Sequence, residues 1–110
     1  MTVPKRGEIW TVSNDAPEEA DEDGLESAVV ISADLFNEGP SGLIVTIPVA
    51  RSSGIIPWHV PVALETESGR ATSEVLQCDR PRTLSRAMLR ERVGVIPPAV
   101  LERSERRLFD

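Results

Sequence analysis

A chain of 110 residues with 40% hydrophobic content suffices for one compact core and is too short for two, so a single domain over residues 1–110 is expected. One cysteine and one histidine exclude an internal disulfide framework and a clustered nitrogen and sulfur set for zinc, and no metal or cofactor is expected. A net charge of −6 opposes nonspecific nucleic-acid binding, and with no bilayer-length apolar run and no signal-like start the chain reads as cytoplasmic and without membrane contact.

In chain order, residues 8–13 alternate, with Trp10 and Val12 on one side, and predict a first strand. Residues 14–26 hold Asp15, Glu18, Glu19, Asp21, Glu22, Asp23 and Glu26 with Pro17 and Gly24, a stretch whose self-repulsion predicts a long acidic loop. A calcium loop is the sharper alternative for Asp21, Glu22 and Asp23, but the ligand spacing is incomplete. Residues 28–32 are a β-branched run fit for a strand buried on both faces, and 37–42 supply turn chemistry before a second inner strand at 43–49. In 55–64, Trp58, Val60, Val62 and Leu64 share one parity while Pro57, His59 and Pro61 share the other, the signature of an edge strand.

Residues 67–70 form a turn and 73–78 a further strand, in which Val75 and Leu76 oppose each other and Cys78 shares the parity of Leu76 as a small core residue. The first 50 residues carry 2 basic and 10 acidic side chains, and the remaining 60 carry 10 and 8. Arg80, Arg82, Arg86, Arg90 and Arg92 form a basic segment, expected as a loop followed by a short helix capped by Ser85, running to about Arg92 and ended by Gly94. Pro97 and Pro98 open a last helix bearing Val100, Leu101 and Leu108. Short strands with late helices predict a mainly β fold, a small, strongly bent antiparallel barrel.

Five blocks occur in fixed order: Arg6-Gly7-Glu8-Ile9-Trp10; Ala28-Val29-Val30-Ile31-Ser32 with Asp34-Leu35-Phe36-Asn37; residues 44–51; Pro57-Trp58-His59-Val60; and residues 75–83. Together they make the chain resemble the MazF/PemK family of toxin endoribonucleases across nearly its whole length. The resemblance implies an SH3-like barrel of the CcdB/Kid/MazF type with appended helices, a homodimer, an antitoxin partner and metal-independent cleavage of single-stranded RNA. In such cleavage a ribose 2′-hydroxyl attacks the adjacent phosphate and leaves a 2′,3′-cyclic phosphate. The homodimer is also expected because the last helix presents Val100, Leu101 and Leu108 with few other partners in so small a chain.

The resemblance places a catalytic Arg where this chain has Glu26 and a catalytic Thr or Ser where it has Ala50. Losing the Arg removes a cation and sets a carboxylate against the phosphate, so weakened cleavage is expected. Arg51 with Ser52 or Ser53 is a candidate replacement, provided the strand ends or bulges before Arg51, since strand side chains alternate. His59 is a candidate acid or base. Arg80, Arg82 and Thr83 fall where the family meets RNA, Arg80 replacing a usual Gln; Arg80 is equally suited to pair with Asp79. A catalytically inactive dimeric module that binds an antitoxin or RNA is the competing function. Gyrase poisoning in the manner of the CcdB-like branch has the fold in its favour and no matching C-terminal motif.

Overall fold

The computed structural model of the chain describes residues 3–13, 25–51, 59–65 and 71–108. The residues 8–13 expected to alternate form β1 (Glu8–Ser13), flanked antiparallel by β2 (Leu25–Val30) and β7 (Leu89–Val95). The chain turns into β1 at Gly7, whose φ of +90° is open to glycine at little cost. Its amide donates to the Val30 carbonyl at 2.8 Å and its carbonyl accepts from the Ile96 amide at 2.9 Å. After β2 comes the short helix α1 (Asp34–Glu38), then β3 (Leu43–Arg51), β4 (His59–Glu65), β5 (Ala71–Gln77), β6 (Arg82–Ser85), β7 and helix α2 (Pro98–Leu108).

The strands pair in the order β4-β5-β3-β2-β1-β7, with β6 also on β3. Strand β3 divides one edge between two partners: Val49 to Arg51 lie opposite β5, and Leu43 to Thr46 opposite β6. The antiparallel, mainly β architecture matches expectation, but among the described residues the path ends at β4 and β7 and the sheet is not closed into a barrel. Strand β4, which carries Pro61, is an edge, as expected; Pro57 lies outside the described residues.

Parity sorts the side chains into two cores. One comprises Ile9, Val29, Ile47, Val60, Val62, Leu76, Cys78 and Ile96, and α2 packs against it through Val100, Leu101 and Leu108. The other comprises Trp10, Val12, Ala28, Val30, Ile44, Leu84 and Leu89. Val75 and Leu76 are both buried, on opposite sides of β5, and Cys78 joins Leu76 in the core.

Three expectations are corrected. The helix over 85–92 does not form: the Ser85 hydroxyl caps the Ala87 amide at 3.3 Å, but the turn is a three-residue 3-10 helix, Arg86–Met88, and the chain then enters β7. Pairing with β1 and burial of Leu89 against the Trp10 core outweigh a local capping signal. Gly94 accordingly lies opposite Ile9 within a strand instead of ending a helix. The acidic stretch does not run to residue 26, because Leu25 and Glu26 already belong to β2 and pair with Ser13 and Val12. The apolar face of α2 covers this chain's own core, so Val100, Leu101 and Leu108 supply no argument for a homodimer.

Candidate functional site

The positions singled out by the resemblance meet in one row across the sheet. In β2 and β3 the register runs Val30↔Thr46, Val29↔Ile47, Ala28↔Pro48, Ser27↔Val49. The pairing ends there; Glu26 and Ala50 are the next residues of the two strands and share the parity of Ala28 and Pro48. Val12 lies on the other side of Glu26, Val75 on the other side of Ala50, and Pro61 beyond Val75. Directly opposed residues of antiparallel strands project to the same face, so this row shares the face of the Trp10 core and lies on the far side of the sheet from α2.

A cation reaches the row from β6. Arg82 stands opposite Thr46 on β3, at the parity of Ala50, and its Nη1 lies 3.4 Å from Glu26 Oε2. The two side chains are 47% and 40% exposed, so the pair contributes at most about 1 kcal/mol to folding. Thr46, buried, donates its hydroxyl to the Arg82 carbonyl at 3.3 Å and fixes the backbone from which the arginine extends. The Glu26 carboxylate is therefore accompanied by a positive charge that β6 supplies.

The other candidates are scattered. Arg51 continues β3 opposite Glu74, one step past Ala50 and of opposite parity, with no register shift between them; the ended or bulged strand that a shifted frame requires is not found there. Ser52 and Ser53 lie outside the described residues, as do residues 14–24 with the calcium alternative. Among the described residues no cluster of His, Cys, Asp or Glu could hold a metal ion. His59 opens β4 opposite Gln77. Arg80 follows a turn in which its amide donates to the Gln77 carbonyl at 3.0 Å, and its guanidinium lies 3.8 Å from the Asp79 carboxylate. Thr83 is exposed and opposite Val45, of opposite parity to Arg82, so these neighbours cannot serve the same face of β6.

The basic segment is dispersed, not clustered. Arg86 donates to the Asn37 carbonyl, Arg90 to Ser13 Oγ at 3.1 Å and Arg92 to Glu8 Oε2 at 3.2 Å. Glu8 is a polar node that composition does not single out. Its side chain is 7% exposed, and it also accepts from the Lys5 amide at 2.7 Å and from Trp10 Nε1 at 3.2 Å. The spacing of Glu8 and Trp10, two apart in a strand and so on one face, was the available signal. Beside them runs a groove of about 830 Å³ lined by Lys5, Glu8, Trp10, Arg86, Leu89 and Arg92 among others; none of Glu26, Ala50 and Arg82 lines it. Asn37, fully buried, exchanges hydrogen bonds with Ser32, whose hydroxyl accepts from the Val45 amide at 3.0 Å. This ties the Ser32–Asn37 block to β3 and makes it structural.

A family model describing PemK-like, MazF-like toxins of type II toxin–antitoxin systems matches residues 5–109. The chain belongs to this family. Similar solved structures include a MazE–MazF complex from Deinococcus radiodurans, 25% identical with a TM-score of 0.73 over 98% of this chain and 93% of that one. An endoribonuclease from a mycobacterial species in complex with its cognate antitoxin is 17% identical, with a TM-score of 0.73 over 98% and 91% of the two chains. The Mycobacterium tuberculosis toxin MazF-mt6 is 13% identical, with a TM-score of 0.71 over 92% and 91%. The MazF-like fold is thus kept while two positions that the resemblance marks as catalytic carry Glu26 and Ala50. No helix among the described residues is long and apolar enough to cross a membrane.

Proposed function

We propose that this MazF-like toxin is a metal-independent endoribonuclease that cuts single-stranded RNA to a 2′,3′-cyclic phosphate, more slowly than relatives that carry both family residues. The observation that carries it is the row of Glu26 and Ala50 with the Arg82 guanidinium 3.4 Å from Glu26. A phosphodiester in that row would meet a cation able to stabilise charge growing on the phosphoryl oxygens. The rate is lowered because Ala50 lacks a hydroxyl and because Arg82 divides its charge between substrate and Glu26. Membership of a toxin–antitoxin family, and the mycobacterial relative described as an endoribonuclease with its antitoxin, support both the RNA substrate and an antitoxin partner. An acidic, largely disordered antitoxin segment binding beside Arg51, Arg80 and Arg82 fits their charge. Homodimerisation rests on the resemblance.

Ala50 favours the second reading, a catalytically inactive dimeric module that binds an antitoxin or RNA. Incubating the purified protein with a pool of single-stranded RNAs in a chelator, then mapping new ends, separates the two. New 5′-hydroxyl and cyclic-phosphate ends absent with 2′-deoxy substrates support cleavage; RNA or antitoxin bound without new ends supports the module.

A further inference from the structure

We infer that Glu26 is a catalytic residue, the general base that takes the proton of the attacking 2′-hydroxyl, and that Arg82 holds the phosphoryl oxygens beside it. This rests on the ribonuclease reading and assigns Glu26 a role opposite to the purely inhibitory one its charge first suggests. The exposed pair contributes little to folding, so both groups can turn to a ligand at small cost. An oxygen acceptor and a guanidinium 3.4 Å apart match one RNA linkage, in which only C3′ and O3′ stand between the carbon that bears the 2′-oxygen and the phosphorus that bears the phosphoryl oxygens. A guanidinium that grips the phosphate would thereby bring the 2′-hydroxyl against the carboxylate, the reach a general base requires.

The remaining described polar groups nearby are less suited. Thr46 is buried with its hydroxyl bonded to the Arg82 carbonyl, and Ser27, opposite Val49, has the other parity. Ala50, opposite Val75 and next in β3 after the Ser27↔Val49 pair, offers no side-chain acceptor.

The chemical step conserves atoms and charge. The 2′-oxygen forms a bond to phosphorus as its proton passes to Glu26 Oε2, and the bond from phosphorus to the 5′-oxygen breaks with its electron pair on that oxygen. The 5′-oxygen takes a proton from water, and Glu26 returns its own to the hydroxide left behind. Arg82 exchanges no proton and stabilises the charge on the two non-bridging oxygens.

The test compares the full chain with Glu26→Gln, Glu26→Asp and Arg82→Ala in single-turnover cleavage under a chelator, alongside binding of a non-cleavable 2′-deoxy analogue of the cut sequence. Glu26→Gln is expected to lower cleavage about 10²–10⁴-fold, to bind the analogue as tightly as the parent or more so, and to lose the acid limb of the pH–rate profile. Glu26→Asp should restore part of the rate. Arg82→Ala should weaken analogue binding as well as cleavage. Cleavage by Glu26→Gln at the parental rate or faster, or an acid limb that persists in it, overturns the inference while the ribonuclease reading stands. A parent that binds the analogue but produces no cut with any RNA overturns both. Circular dichroism and melting temperature, expected unchanged for so exposed a pair, separate loss of fold from loss of base.

Discussion

Installing the two family side chains, Glu26→Arg with Ala50→Thr, should raise metal-free RNA cleavage by about 10²–10³-fold over Glu26→Arg alone, the effect of gaining one preorganised donor. The register supplies the reason the two must change together: Glu26 and Ala50 fall on adjacent strands in one row, so a guanidinium and a hydroxyl placed there would face the same phosphate. Effects within one constellation are not additive, and multiplying two such factors overestimates the gain. The fold should tolerate the change. A guanidinium at position 26 would lie near Arg82 instead of pairing with it, a repulsion of about 1 kcal/mol at ~4 Å in water against a total stability of about 5–15 kcal/mol. Glu26→Arg alone should be slower than the parent, because it removes the base before the hydroxyl is present. The assay is single-turnover cleavage of a mixed single-stranded RNA substrate in a chelator, with melting temperature as the control. A folded double variant no faster than Glu26→Arg alone would refute the geometric argument, since the row would then not be where the phosphate sits.

Replacing Glu8 by Gln should lower stability by about 2 kcal/mol, because Arg92 loses its buried counter-charge and the Gln amide cannot accept on both sides as the carboxylate does; a denaturant midpoint within error of the parent would contradict this. Burial pushes the Cys78 thiol above its ordinary 9.0, against the lowering effect of the Ser104 hydroxyl. Since the folded value is raised, the stability it contributes is fully present below pH 9.0 and is lost as pH rises through the folded value. The difference in melting temperature between the parent and Cys78→Ala should therefore shrink with alkalinity, and a constant difference would count against it. Neutralising Arg80 and Arg82 together should slow association with an acidic antitoxin segment and lessen its salt dependence; unchanged association rates would place the partner elsewhere.

How much of this was legible in the sequence depended on whether a signal was local. The alternation in residues 8–13, the β-branched run before Ile31 and Pro61 in β4 each report a property of one strand, and each strand formed. The segment after Ser85 failed because its capping hydroxyl is a true local signal with a short reach: it caps three residues. Beyond Met88 the chain is governed by β1, 80 positions away between Thr11 and Glu91, whose Trp10 core needs Leu89. The same limit hid the site. That Glu26 sits beside Ala50 follows from a register, and that Arg82 reaches Glu26 follows from β6 sharing an edge of β3 with β5. Neither is a property of a short window, and so the carboxylate at position 26 was visible while its contact with Arg82 was not.

The two kinds of polar group on this sheet differ in what they cost to change. Glu8 and Asn37 are buried and fully bonded, so removing either strands donors that water cannot reach, at about 1–3 kcal/mol for each unmet group. Glu26 and Arg82 are close to half exposed, and water can satisfy whichever of them is left alone. Substitutions in the row therefore fall on chemistry and leave the fold nearly untouched, whereas substitutions in the Arg6–Trp10 and Ser32–Asn37 blocks fall on the fold first. On the proposed reading, a MazF-like chain can therefore vary the residues of this row at little cost to the sheet that the other blocks build.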